Sequence, residues 1–331
     1  MDDTVNGANE LDPGASSSDA PPAERPAVAV LDDYQGVALD SADWASLPVD
    51  VRAFRDHIDD EDEVARRLAP FDIVVAMRER TAFPATLLRR LPRLRLLVTT
   101  GPRNAAIDVA AASGRGITVC GTESLASPTV ELTWALLLAL VRHVPEEDAR
   151  IRRGEWQSAL GFGLDGSVLG LLGLGRIGER VARVASAFGM ETIAWSQKLT
   201  PARARAAEAK AVTNDELFTR ADVVSVHLRL SERTRGLVGQ HELGLMKPSA
   251  YIVNTSRAEI IDQVALRAAL EQSHIAHEPL AADDPARRLP NTVLTPHLGY
   301  VTRQQYGVFF GQALEDIRAY LMGTPVRVIE P

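Results

Sequence analysis

The stretch Val168 to Val181, VLGLLGLGRIGERV, decides how this chain folds. An apolar run opens it, and Gly173, Gly175 and Gly178 follow in G-x-G-x-x-G spacing ahead of a helix-forming segment. Gly173 permits a tight turn, Gly175 lets the backbone approach a pyrophosphate, and Gly178 allows close packing of helix on strand. The helix N-terminus then faces the anion. A tight turn in any α/β protein could use the same glycines. The correct spacing of strand, helix and next strand favours a nucleotide site.

The chain repeats this β-α alternation on both sides of the loop. VAVL (28–31), DIVVAM (72–77), LRLLVTT (94–100) and ITVC (117–120) predict the buried strands of a first unit, with helices over Asp60 to Leu68 and Pro84 to Arg90. A second series follows the loop: TIAWS (192–196), DVVSVHL (222–228), YIVNTS (251–256) and TVLTP (292–296). Between the series, Ser127 to Val144 predicts a helix that is apolar on nearly every side, with Ser127 as cap and Pro128 in its first turn. Such a helix suits a domain junction or a subunit interface. A final helix is expected over about Thr302 to Leu321.

Composition narrows the classes. The 331 residues exceed one core and imply two domains. Formal charge is -8, with 36 basic and 44 acidic side chains, and no basic patch stands out, so neither nucleic acid nor an anionic membrane is an expected partner. No apolar run reaches the roughly 20 residues of a membrane span. The single Cys120 cannot form an internal disulfide, which fits a reducing cytoplasm. Residues 1–26 read as a flexible acidic tail rather than a targeting segment.

At the end of the strand after the glycine loop, an acidic side chain normally holds the adenosine ribose of NAD. Here stand Ser196, Gln197 and Lys198. Ser196 can bond a hydroxyl or a phosphate and Lys198 can pair with a 2′-phosphate, so NAD and NADP both stay open. Further on, Arg257, Glu278 and His297 offer an anion clamp, a carboxylate and a proton carrier. His274 and His277 have H-x-x-H spacing but lack a third ligand, so no metal is expected.

Taken together, LLGLGRIG, ADVVSVHL, LMKPSAYIVNTSR, EPL and TPHLGY resemble the D-isomer-specific 2-hydroxyacid dehydrogenase family, over roughly Val28 to Pro331. The resemblance implies an α/β protein in which a Rossmann-like NAD(P)-binding domain, 123–299, is inserted into a smaller flavodoxin-like catalytic domain, 27–122 with 300–331. It implies a homodimer and a 2-oxo acid or D-2-hydroxy acid substrate. By the same resemblance His297 is the acid/base, Glu278 orients its imidazole, and Arg257 clamps the substrate carboxylate. Thr100 and Gly101 of TTGPRN receive that carboxylate, with Arg78 of MRERT nearby. Cofactor contacts extend from Gly173, Gly175 and Gly178 to Arg176, Ile177, Ser196, Lys198, Leu228, Thr255 and Gly299.

The chain departs from the family pattern in two places. After HIA (274–276) it passes straight to His277 and Glu278, about one strand with its connection short. One strand of the cofactor domain is therefore expected to be missing near 277. Ala258 also follows Arg257 where the family has glycine, which restricts the backbone if positive φ is needed there. Two functions remain: a dehydrogenase, or a catalytically impaired NAD(P)-binding protein of the same fold that acts as a binding or regulatory partner.

Overall fold

The computed structural model describes residues 25–272 and 291–331. Glu278, His274, His277 and the expected gap near 277 lie outside the described residues, as does nearly all of the tail.

The chain forms two compact units, one of residues up to 99 with 103–120 and 316–331, the other of 100–102 with 121–315. The first holds β1 (Ala27–Val30), β2 (Asp50–Ala53), β3 (Ile73–Ala76), β4 (Leu96–Thr99) and β5 (Thr118–Gly121) in the order β2-β1-β3-β4-β5. That is the 2-1-3-4-5 order of flavodoxin-like sheets. Its interior strands are buried on both faces, which a parallel sheet covered by helices requires, and the core gathers Leu68, Val74, Phe83, Leu87, Leu97 and Val119.

The second unit holds β6 (Val168–Leu172), β7 (Glu191–Trp195), β8 (Lys210–Ala211), β9 (Val223–Val226) and β10 (Tyr251–Asn254). The order is β10-β9-β6-β7-β8, which, read from the β8 edge and counted from β6, runs 3-2-1-4-5 as in a dinucleotide-binding sheet. Successive residues alternate between two cores. Leu169, Leu171, Val223, Tyr251 and Val253 face the Ser127–Val141 and Gly178–Ala187 helices, while Leu172, Val224, Val226 and Ile252 face the other side. Among the described residues this sheet ends at β10.

Both sheets start from the same lock. Asp72, just before β3, accepts the Ala27 amide at 2.9 Å and is held by Arg93. Asp222, just before β9, accepts the Val168 amide at 2.8 Å and pairs with Lys247 at 2.7 Å.

Two expectations need correction. TVLTP is no strand: 291–300 is turn and irregular chain, with Val293 packed on the core. A β-branched run pairs only where a neighbouring strand is free to accept it, and among the described residues β10 pairs only with β9. Ser127 does not cap its helix. It is the first helical residue, and Ala126 occupies the cap position without a side-chain bond. The Arg303–Leu321 helix spans the division between the two units. Up to Glu315 it counts with the second, where Gln305 accepts the Leu125 amide and Gln312 the Glu123 amide, each at 2.7 Å.

Candidate active site

The glycine loop leaves the carboxyl end of β6 and enters the Gly178–Ala187 helix. Gly173 has φ +107°, and a Cβ there would stand 2.6 Å from the His227 carbonyl oxygen. A Cβ on Gly178 would collide with the Gly173 carbonyl. A Cβ on Gly175, by contrast, would find nothing within 4 Å, which leaves the backbone there approachable from outside. Two glycines are thus required by the protein's own backbone, and the second is free to face a ligand. This arrangement fits a dinucleotide pyrophosphate.

The other cofactor candidates surround this loop. Arg176 is exposed and donates to the Ser124 carbonyl at 2.9 Å. Ile177 is half-buried at the helix N-cap and packs on the core. Ser196 is half-buried and Lys198 exposed in the turn after β7. Leu228 is half-buried after β9, with its Cδ2 3.0 Å from a Cβ on Gly173.

Arg257 follows β10. Its turn is fixed by Asn254, whose side chain donates to the Arg257 carbonyl and accepts the Ser256 amide, each at 2.9 Å. Beyond it, Gly236 and Val238 donate to the Glu259 and Ile260 carbonyls, which pins the segment against the loop after β9. The guanidinium touches the Ser256 carbonyl through Nη1 at 3.0 Å. Ala258 has no positive φ and opens a short 3-10 turn, so the alanine is accommodated without strain.

His297 lies half-buried in the 291–300 segment, its ring 5.5 Å from that of Tyr300, which packs in turn on Phe309. A chain of hydroxyls ties both turns to one helix. Thr255 and Thr133 Oγ1 atoms are 2.8 Å apart, Thr133 donates to the Thr129 carbonyl at 2.8 Å, and Thr129 Oγ1 donates to the Gly299 carbonyl at 2.9 Å. Because the Thr133 hydroxyl has one proton, Thr255 must be the donor between them. Thr129 and Thr133 were not among the sequence candidates; hydroxyls inside an apolar helix give no signal in its pattern.

Among the residues proposed to hold substrate, Arg78 sits after β3 at φ +52°, a left-handed backbone that Asn104 supports by donating to the Arg78 carbonyl at 2.6 Å and to Thr99 Oγ1 at 3.0 Å. Sequence reading also missed Asp32, at φ +56° and 1% exposure after β1. Its carboxylate accepts from Thr81 Oγ1 at 2.8 Å and meets His57 Nδ1 at 2.8 Å, and its carbonyl accepts from Arg80. Asp32 thereby anchors the loop that carries Arg78. Thr100 is buried, and Gly101, at φ +109°, donates its amide to Thr122 Oγ1 at 2.7 Å, so that amide is engaged within the protein.

Residues 134–299 match the family model described as D-isomer specific 2-hydroxyacid dehydrogenase, NAD binding domain. A glyoxylate reductase from Aeropyrum pernix is 38% identical over 255 residues, 72% of this chain and 76% of that protein. The chain belongs to the D-isomer-specific 2-hydroxyacid dehydrogenase family. Another glyoxylate reductase, from Thermococcus litoralis, is 36% identical over 66% of this chain and 71% of its own length. The crystal structure of a phosphoglycerate oxidoreductase from Vibrio cholerae superposes with a TM-score of 0.85 at 35% identity, covering 90% of this chain and 99% of that one. Membership in the 2-hydroxyacid dehydrogenases makes the chain an oxidoreductase that uses NAD or NADP to interconvert 2-oxo and D-2-hydroxy acids. His227 lies against the glycine loop. This histidine is the penultimate residue of ADVVSVHL, with its Nε2 2.9 Å from Ser225 Oγ, its Nδ1 enclosed and unpartnered among the described residues, and its pKa pushed down to about 4 by burial. A neutral ring at that point puts no charge behind the glycine loop.

Proposed function

We propose that Arg257 and His297 perform the family reaction on a small 2-oxo acid, of which glyoxylate, the substrate named for two relatives, is the first to try. The observation that carries this reading is the hydroxyl chain from Thr255 through Thr133 and Thr129 to Gly299, which holds the arginine turn and the histidine turn on one helix. Bound nicotinamide supplies or accepts the hydride at the substrate carbon. His297 gives its imidazole proton to the carbonyl oxygen in reduction and takes it back in oxidation, a task for a group that titrates near neutrality. Arg257 pairs its planar guanidinium with the substrate carboxylate and polarises the carbonyl. Glu278, outside the described residues, is assigned to orient the imidazole. Gly173, Gly175 and Gly178 hold the pyrophosphate, flanked by Arg176, Ile177, Leu228, Thr255 and Gly299, with the adenosine ribose at Ser196 and Lys198. Arg78 and Thr100 are assigned to substrate recognition.

The unit containing 121–315 is the cofactor domain on this reading. Its Val144, Ile151, Trp156 and Leu160 are 53%, 54%, 74% and 96% exposed, an apolar set suited to covering by a second copy in a homodimer. The lone cysteine fits a cytoplasmic setting.

The test is the absorbance of reduced nicotinamide over a panel of 2-oxo acids beginning with glyoxylate. His297→Asn is expected to lower kcat/KM by about 10²–10⁴-fold. Absence of turnover with either cofactor, from folded protein that binds it, would leave only a nucleotide-binding role.

A further inference from the structure

Two cations from different loops converge on the turn after β7, and neither has a carboxylate partner among the described residues. Lys198 is exposed within that turn. Arg233 comes from the loop after β9 and donates through Nη1 to Gln197 Oε1 at 3.2 Å. That loop is built to present it. The Ser231 amide donates to Thr234 Oγ1 at 2.8 Å, Thr234 Oγ1 donates to the Arg229 carbonyl at 2.7 Å, and the Arg235 amide closes on the Ser231 carbonyl at 2.9 Å. Since β6 lies between β7 and β9, the contact spans the side of the glycine loop where the adenosine end of a dinucleotide rests.

We infer that Arg233, with Lys198 and Ser196, makes this protein select NADP(H) over NAD(H) by binding the 2′-phosphate. This rests on the dinucleotide reading of the glycine loop. A free 2′-hydroxyl is held by an acidic acceptor, and residues 196–199 supply none. A 2′-phosphate carries negative charge and several acceptor oxygens, which suit the Ser196 hydroxyl, the Lys198 ammonium and the planar Arg233 fork. Gln197 contributes indirectly. By accepting from Arg233 it keeps the guanidinium over the turn, which makes it a positioning residue.

The experiment is direct binding of NADPH and NADH to the full chain, followed by nicotinamide fluorescence. Wild type is expected to bind NADPH at least about tenfold more tightly than NADH, with a preference that shrinks as ionic strength rises, because exposed charges are screened over about 10 Å at 0.1 M salt. In Arg233→Gln the ratio should fall toward unity, and in Arg233→Gln with Lys198→Gln it should reach or pass it, with unfolding midpoints measured alongside to show that both variants fold. Equal affinity of wild type for the two cofactors would overturn the inference and leave the dinucleotide site standing. Failure to bind either cofactor would overturn both. An NADPH preference that survives in the double variant would show that other residues read the phosphate.

Discussion

Thr133 Oγ1 stands 2.8 Å from Thr255 Oγ1 in the interior of the second unit, with Thr133 fully buried and Thr255 9% exposed. The pair joins the helix that opens the unit to the strand end that carries Arg257. The hydroxyls of Thr129, Thr133 and Thr255 each donate once, and none of these three oxygens lacks a partner. Thr133→Val keeps the shape but removes the acceptor for Thr255, so it should cost about 1–3 kcal/mol in urea unfolding. Thr133→Ser should recover most of this. If these hydroxyls set the geometry of the reacting groups, kcat should drop in Thr133→Val and should return with serine.

The glycine loop separates two kinds of requirement. Gly178→Ala places a methyl group against the Gly173 carbonyl and should cost about 1–3 kcal/mol of stability as well as cofactor affinity. Gly175→Ala meets no protein atom and does not require positive φ. Its stability should stay within about 0.5 kcal/mol of wild type, while the affinity for dinucleotide falls at least about tenfold. Parallel loss of stability in both variants would contradict the division.

His227 predicts a pH dependence of stability. Burial holds its folded pKa at about 4, below the ordinary 6.5. Between these values the unfolded chain binds a proton that the folded one does not, so stability rises with pH in that window. The contribution is fully present above about pH 6.5 and is lost progressively as pH falls toward 4, on the order of 3 kcal/mol in all. Chemical unfolding of wild type and His227→Asn from pH 7 to pH 4 tests it, and the variant's curve should be flatter by that amount.

The exposed apolar set predicts the assembly. Trp156→Glu with Leu160→Glu should convert a particle of twice the chain mass into one of single mass in light scattering, with cofactor binding retained. A wild-type monomer at micromolar concentration would exclude the homodimer.

How much of this was legible in the sequence follows the burial of each element. IVVA of β3, LLVT of β4 and YIVN of β10 are apolar or small at nearly every position because both faces are covered, and they stand out as runs. DVRA of β2 and the two residues of β8 lie at sheet edges, keep exposed side chains, and carry no such signal. TVLTP carried the signal without the structure, because pairing depends on a neighbour that local composition does not describe. The site divides in the same way. Glycines required by backbone geometry could be read from their spacing, whereas Thr129, Thr133, Asp32 and Arg233 act through partners between 4 and 170 residues distant.

The first unit begins at the amino-terminal side yet includes residues 316–331, where Ile329 donates to the Val119 carbonyl at 2.8 Å and Arg327 pairs with Asp316 at 2.9 Å. On the ribosome the order of completion is therefore reversed. The second unit has all of its residues once position 315 has left the exit tunnel, while the earlier-made sheet still waits for its last segment. A domain normally folds as its own sequence emerges. Here the amino-terminal strands must persist incomplete through the synthesis of nearly two hundred further residues, which exposes them to misfolding and to chaperones during that interval.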